Sequence, residues 1–401
     1  MVPMPSPELD PTLLSLLCKK TLSWKRPGRE LLLDVPVDVF SSFQVDLGTE
    51  RLLREIDPGD RKWATALDMG CGYGPVGLHL AAAGLAERVD AIDRDALAVA
   101  FTNHNARRNA LSQVTAWGGI AYDPVPGAAY DAVVTNLPAK AGRSVHELIL
   151  LGARRHLRPG GMVWLVAVEP LEAAVDEILG AEGVDVRRKV RRKGHVVYSY
   201  SFCGEPALPD APYVRAKASF HWGALEYPMT CLHGLGEFDH RSWLSDLMVD
   251  LFHRRFRDQP IRRLMVCNPG QGHVAVLASR IAGEIEAILA VSRDLLGLKA
   301  TQANLRDNGY QGALRGVHAA DFACGCGDAG PDVVLATLND KEGIEVNVEL
   351  LRRLFSTGQG CRAVVGCGAG FASRLRDRLK RHGIRASARK KRKGFCASVL
   401  E

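Results

Sequence analysis

The sequence predicts an α/β protein built from two tandem domains, each a mostly parallel sheet closed by an antiparallel strand. Three observations carry this. Short apolar runs alternate with helix-period segments. One such run ends in the glycine turn Leu67-Asp68-Met69-Gly70-Cys71-Gly72-Tyr73-Gly74-Pro75. The whole pattern recurs about 200 residues later, a period that marks a duplicated domain rather than a solenoid unit.

Residues 1–28 read as a lead-in, Pro-rich at first, apolar-periodic from Leu13 to Cys18, then basic. A strand is expected over Leu31–Pro36 and a helix from near Glu50, with Leu52 and Leu53 on one face. Without Cβ atoms at Gly70, Gly72 and Gly74 the backbone can turn tightly and approach a ligand. Helices then follow over Val76–Ala83, Ala96–Asn109, Val145–His156 and Ala173–Leu179, and strands over Val89–Ile92, Val114–Trp117 and Ala132–Thr135. Met162–Val168 is long and apolar enough for a fully buried strand, and Val184–Val190 with His195–Phe202 closes the sheet.

The repeat is visible residue by residue. Leu264–Gly272 parallels the glycine turn, with Gly72 and Gly74 falling on Gly270 and Gly272, and Thr301–Asn308 parallels Thr102–Asn109. Asp332–Gly343 parallels Asp131–Gly142. Pro206, Pro209 and Pro212 interrupt any regular element, so the domains are placed at 29–204 and 213–401 with a linker at 205–212.

Composition excludes several classes. With 47% hydrophobic and 24% charged residues the chain reads as soluble and folded. No run approaches membrane-spanning length, and the Pro-rich, acidic Met1–Asp10 is unlike a signal peptide. Ten scattered cysteines lack the spacing of a disulfide framework, which fits a reducing, cytoplasmic compartment. Cys324-Gly-Cys326 has no second pair at ligand spacing, so no metal is expected. The net charge of +7 favours an anionic partner such as nucleic acid.

Asp93 ends the second strand after the turn, at the carboxyl edge of the sheet, where an acid can accept both ribose hydroxyls. The run D-x-G-x-G-x-G differs from the G-x-G-x-x-G of dinucleotide sites. Asp68 opposes a pyrophosphate but tolerates a sulfonium, which favours S-adenosylmethionine over a nicotinamide dinucleotide. Asn136-Leu137-Pro138-Ala139 ends the fourth strand at the same edge. An Asn oxygen and a neighbouring carbonyl held out by proline can accept hydrogen bonds from an exocyclic amino group, so that positioning carries catalysis.

Phe40–Thr49, Leu67–Gly77 and Asp131–Gly142 together resemble the class I S-adenosylmethionine-dependent methyltransferases, and among them the "small" family that includes ribosomal RNA guanine exocyclic-amino methyltransferases. The resemblance covers residues from about 30 to 202. It implies a seven-stranded Rossmann-like domain and an RNA acceptor, with ribosomal RNA favoured. It also implies that Asp68, Gly70, Cys71, Gly72 and Gly74 line the methionine end of the cofactor, that Asp93 and Arg94 hold the ribose, and that Gly119 and Ile120 border the adenine. Asp46, Gly48 and Thr49 close over it, with Asn136, Leu137 and Pro138 at the acceptor. The family's motif is N-P-P-F or N-P-P-Y; here Leu137 replaces the first proline and Ala139 the aromatic residue. Phe40, Phe43 or Tyr73 is then the stacking platform or simply core, and Lys140 is either a phosphate contact or a solvated loop residue. This departure leaves a small metabolite or protein side chain as a second class of acceptor, and an RNA-binding scaffold with bound cofactor as a third reading.

In the second copy Asp68 becomes Val266, Gly70 becomes Asn268, Asp93 becomes Ser292 and Asn136-Leu137-Pro138 becomes Thr337-Leu338-Asn339. The strand positions stay apolar, so a catalytically silent domain serving recognition or structure is expected. Related ribosomal RNA enzymes carry the degenerate copy first; here it is second. The basic runs Arg187–Lys193, with Arg191, Arg192 and Lys193, and Arg389–Lys393 precede the last strand of each copy. They read as phosphate contacts near Tyr198 and Tyr200, or as solvated hairpins guarding a sheet edge.

Overall fold

The computed structural model describes residues 8–26, 29–39, 41, 43–56, 62–327, 330–357 and 360–401. These form two compact units, Cys18–Tyr213 with Glu8, and Val214–Glu401 with Leu9–Leu17. The latter piece carries helix α1 (Pro11–Leu17), which buries Leu13 and Leu17; the preceding Asp10 pairs with Arg353 of the same unit.

The first unit begins with an antiparallel hairpin, β1 (Cys18–Arg26) and β2 (Arg29–Pro36), followed by α2 (Leu47–Glu55). It continues with β3 (Trp63–Met69), α3 (Pro75–Ala82), β4 (Ala86–Asp93), α4 (Ala96–Arg108), β5 (Val114–Gly118) and β6 (Tyr130–Asn136). Helix α5 (Arg143–Gly152), β7 (Leu157–Val168), α6 (Glu172–Leu179), β8 (Val184–Arg192) and β9 (His195–Phe202) complete it. The seven strands lie in the order β5-β4-β3-β6-β7-β9-β8. Only β9 runs against its neighbours β7 and β8. Central strands β3 and β6 are buried almost end to end, which is why they read as continuous apolar runs.

The second unit repeats every one of these elements. A hairpin of β10 (Val214–Trp222) and β11 (Leu225–Leu232) precedes α7 (Trp243–Phe256), β12 (Arg263–Cys267), α8 (His273–Ile281), β13 (Ala287–Ser292), α9 (Leu295–Asp307) and β14 (Ala313–His318). Then come β15 (Val333–Thr337), α10 (Ile344–Ser356), β16 (Arg362–Gly368), α11 (Ala369–Leu379), β17 (Ala386–Arg392) and β18 (Phe395–Leu400), giving the order β14-β13-β12-β15-β16-β18-β17. The strand Cys18–Arg26 replaces the basic end of the expected lead-in. Its exposed and half-buried residues alternate until Trp24, so it offers little apolar signal.

The turn after β3 shows how closely the copies agree. Gly72 and Gly74 have φ of 57° and 96°, and Gly270 and Gly272 have 58° and 96°. Asn268 stands where Gly70 does and still adopts a left-handed φ of 50°, which Asn tolerates better than other side chains. A shared asparagine clamp fixes each turn. Asn105 on α4 donates to the Tyr73 and Asp34 carbonyls at 2.9 Å and accepts the Asp34 N–H at 2.8 Å. Asn304 on α9 does the same with Gln271 and Thr230. One amide thus ties hairpin, helix and glycine turn together within each unit.

Truncating either clamp strands buried backbone groups, each costing about 1–3 kcal/mol. Asn105→Ala and Asn304→Ala should each lower the unfolding midpoint of the chain in denaturant. Only Asn105→Ala should also weaken ligand binding at the first turn, and equal effects of both on binding would show that the clamp does not position that turn.

Candidate active site

The carboxyl ends of β3, β4 and β6 meet at the first glycine turn. The N–H groups of Gly70 and Cys71 donate to the Ile92 carbonyl at 2.9 and 3.0 Å, and Gly72 N–H donates to Asp93 Oδ2 at 3.0 Å. A Cβ placed on Gly70 or Gly72 would meet nothing within 4 Å, so both face open space. Gly74 differs, because a Cβ there would press on Leu78 and Thr102 at 3.0–3.2 Å. Two glycines therefore leave room for a ligand and the third allows close helix packing.

Two carboxylates border this space. Asp68 is 1% exposed, accepts Gly77 N–H at 2.8 Å, and is pushed up to about 7, first by burial and then by the neighbouring Asp93 charge. Asp93 is held by Gly72 N–H and by Asp95 N–H at 2.9 Å, and burial with the Asp95 charge pushes it up to about 6. Carboxylates raised in this way favour a cationic or hydroxyl-donating ligand. Cys71 is buried and its thiol is pushed well up by burial. Arg94 follows Asp93, half-buried.

Beyond β5, Gly119 N–H donates to the Asp93 carbonyl at 2.9 Å, and a Cβ on Gly119 would lie 2.2 Å from Ile92 Cδ1. Ile120 is buried and bridges to Asp123.

Asn136 ends β6, and its Nδ2 donates to Asp46 Oδ2 at 3.0 Å and to Thr49 Oγ1 at 3.2 Å. Asp46 caps α2 by accepting Thr49 N–H. No residue was expected to orient Asn136, yet Asp46 does so: an ionised carboxylate only accepts, so it holds the amide nitrogen. Oδ1 is left facing the other way, and among the described residues nothing donates to it. Leu137 turns its side chain into the core at 3% exposure and donates its N–H to the Val166 carbonyl. Pro138 is exposed, and its carbonyl accepts from His146 Nε2 and Ala141 N–H. Ala139 and Lys140 are exposed.

Phe40 lies outside the described residues. Phe43 is 72% exposed, with Lys19 Nζ 3.4 Å from its ring centroid. Tyr73 is no platform: it is 2% exposed, and its hydroxyl donates to the Gln44 carbonyl at 3.3 Å, tying Gln44 to the glycine turn. Tyr198 and Tyr200 are buried too, donating to Asp176 and to the Leu150 carbonyl, so neither contacts a surface partner. Arg191 pairs with Glu172 and Arg192 with Glu55, while Lys193 is exposed in the turn.

One group was missed. The His195 ring lies against Gly48, where a Cβ would meet Cδ2 at 2.8 Å and Asp46 Oδ2 at 2.7 Å. Its Nδ1 contacts the Arg51 guanidinium. The signal was available, since the second copy has Phe395 in that place.

The second unit carries different polar groups at the corresponding positions. Asn268 Nδ2 donates to the Thr337 carbonyl at 3.2 Å, and Arg293 pairs with Glu342 at 2.6 Å, their side chains 13% and 6% exposed.

Among the described residues there is no group of side chains arranged to hold a metal ion. No helix of the described residues is long and apolar enough to cross a membrane.

A family model described as "Methyltransferase small domain" matches residues 31–199. The chain is 30% identical over 170 residues to the uncharacterized protein YbxB of Bacillus subtilis, a match covering 40% of this chain and 84% of that protein. It is 35% identical over 152 residues to ribosomal RNA small subunit methyltransferase C of Chromohalobacter salexigens, covering 36% of this chain and 44% of the relative. The chain thus spans less than half of that enzyme. Among solved structures, the 16S rRNA N2 G1207 methyltransferase of T. thermophilus, in complex with AdoMet and guanosine, shares the fold at a TM-score of 0.69. Its identity is 18%, over 96% of this chain and 98% of that one. With its open glycine turn and paired acids at the strand ends, the chain belongs to the small-domain family of class I S-adenosylmethionine-dependent methyltransferases.

Proposed function

We propose that the first unit methylates a base nitrogen of RNA, with ribosomal RNA the favoured acceptor. The observation that carries this is the fixed amide of Asn136, whose Oδ1 is left to accept an N–H while Asp46 and Thr49 hold Nδ2. The names of the ribosomal RNA methyltransferases among the relatives support the same acceptor class.

The residues present fit the cofactor. Gly70 and Gly72 offer open backbone, flanked by the Cys71 and Gly74 backbone, to the methionine end, with Asp68 beside the sulfonium. Asp93 and Arg94 take the ribose, and Gly119 and Ile120 border the adenine. Asp46, Gly48 and Thr49 cover the donor from α2. Bound S-adenosylmethionine supplies an electrophilic methyl group. Asn136 Oδ1 and the Leu137 carbonyl accept the hydrogens of an amino group and aim its lone pair, with Pro138 fixing the chain, so that orientation supplies the rate. Phe43 stacks the base in place of the aromatic residue that Ala139 lacks, and Lys140 meets a phosphate.

The buried Leu137 side chain and the small Ala139 favour a second acceptor class, a metabolite or protein side chain. Radiolabelled donor offered in parallel to total RNA, ribosomal subunits and protein extract separates the two. Label in RNA is expected, with binding that weakens steeply as salt rises; label in protein alone would sink the RNA reading.

Asp93→Ala removes two hydrogen bonds to a charged group, each contributing about 1.5–3 kcal/mol, so S-adenosylmethionine affinity should fall at least about a hundredfold by calorimetry. Undiminished affinity would remove Asp93 from the site.

The pH dependence has a definite sign. Asp68 and Asp93 sit above their usual carboxylate range, so the stability they confer on the unliganded protein is full below about pH 4 and lost as pH rises through about 6 and 7. A sulfonium and ribose hydroxyls favour the ionised forms. Binding at pH 6 should therefore release protons, seen as a buffer-dependent binding enthalpy, and affinity should rise from pH 5.5 to 8. Proton uptake at pH 6 would contradict this.

A further inference from the structure

The two copies carry different electrostatics at one equivalent place, balanced in the first and strongly positive in the second. Val168 pairs with His195 across β7 and β9, and Gly368 pairs with Phe395 across β16 and β18, so the C-terminal parts of the copies align at a spacing of 200. Over 169–195 the first copy has six acidic residues and six Lys or Arg. Over 369–395 the second has one acid, Asp377, and eleven Lys or Arg. This segment's excess of ten exceeds the +7 of the whole chain.

The structure explains the difference pair by pair. In the first copy Arg187 pairs with Asp185 of its own strand at 2.7 Å, and the other β8 bases are neutralised from the helices packed beside them. Glu55 on α2 holds Arg188 at 2.6 Å and also Arg192. Glu172 and Asp176 on α6 hold Lys189 at 2.6 and 2.7 Å, and Glu172 holds Arg191 at 2.7 Å. The aligned residues on α11 are Ala372 and Arg376. On α7, aligned by its cap Ser242 with Asp46 of α2, Glu55 becomes the buried Leu251.

Only Lys390 regains an acid, Asp250. Arg389, Lys391 and Lys393 on the hairpin, and Lys380 and Arg381 after α11, are exposed and form no ion pair among the described residues. Arg392, freed from a Glu55 equivalent, lies over the Trp243 indole at 3.8 Å, and that ring remains 38% exposed. Trp243 occupies the place of Leu47, so an aromatic has been gained where the acids were lost. Protection of the β17 edge does not account for bases that lie on α11 and beyond it.

We propose that the β17–β18 hairpin, the end of α11 and Trp243 form the chain's principal RNA-binding face, with the bases on phosphates and the indole stacking an unpaired base. The hairpin of the catalytic unit, its bases committed to its own acids, adds little. Unpaired or looped RNA is the fitting partner, because stacking on a side chain requires a base released from its helix. This rests on reading the acceptor as RNA.

The test uses the full chain with a fluorescently labelled mixed-sequence 24-nucleotide RNA, single-stranded and as a duplex, titrated across salt. The unaltered chain should prefer the single strand. Replacing Arg389, Lys391 and Lys393 together by Ala should reduce the slope of log affinity against log salt by about two, since each phosphate contact on a single strand contributes about 0.7. Lys380→Ala with Arg381→Ala, on a separate element, should lower it by about one. Trp243→Ala should weaken binding about tenfold with the slope unchanged. Arg187→Ala with Arg191→Ala should leave the slope within error. Each variant is checked for unchanged S-adenosylmethionine affinity and an unchanged unfolding curve. RNA binding with a slope indifferent to the second-unit variants, or equally sensitive to the first-unit pair, overturns this surface and leaves the RNA reading standing. No binding of the unaltered chain to the single strand, the duplex or ribosomal RNA overturns both.

Discussion

Much of the first unit's architecture serves one electrostatic constraint, the burial of the Asp68 and Asp93 carboxylates at the ends of adjacent parallel strands. Asp68 has one backbone N–H for its charge, and Asp93 has two. Such groups are costly to keep ionised without a counter-charge. The Asn105 clamp, the closely packed Gly74 and the parallel register of β3 with β4 fix the glycine turn, with Asp93 held on Gly72 N–H and Asp68 on Gly77 N–H at the start of α3. The second unit resolves the same constraint by discarding it. Val266 and Ser292 remove both charges, Asn268 spans the turn, and Arg293 with Glu342 supplies a self-contained pair. One backbone thus carries two acids beside the turn in one copy and a self-contained ion pair in the other.

Most of the sheet was legible because buried parallel strands are apolar along their whole length and turns are marked by glycine. Comparison of the copies added more than either alone. Glycines shared by both report the turn, whereas Asp68, Asp93 and Asn136 occur only in the first. The hairpins were less legible: β1 exposes alternate charged residues and shows its packing only through Trp24 against Glu50. The role of Asp46 was legible as a cap, but its hold on Asn136 was not, since a contact across 90 residues leaves no local pattern. His195 escaped for a different reason: a histidine at the start of a last strand reads as surface until its counterpart Phe395 is set beside it.

The basic runs show where sequence patterning misleads. Arg187–Lys193 and Arg389–Lys393 look alike as strings, but charge acts through its neighbours in space. Glu55 lies on a helix remote in sequence and Glu172 and Asp176 on the helix just before β8, and their pairs make the first run neutral in effect while the second is not. The presence of those acids in one copy alone sets which face attracts an anion.

The altered acceptor motif fits this division. In a site where the residue after Asn-x-Pro is aromatic, one ring beside the donor both stacks the base and selects it. With Ala139 there and Leu137 in the core, the immediate acceptor site keeps its hydrogen-bonding carbonyls but loses its own grip on a flat ring. For the proposed RNA acceptor, binding energy then comes from farther away, through the exposed Phe43 beside Lys19 and through the proposed phosphate-binding surface. Remote binding spent on orientation is as effective as local contact when the reacting nitrogen needs only to be aimed. On the proposed reading, a weakened local grip and a strengthened distant one are two sides of a single design, with chemistry and hold allotted to different copies of the same fold.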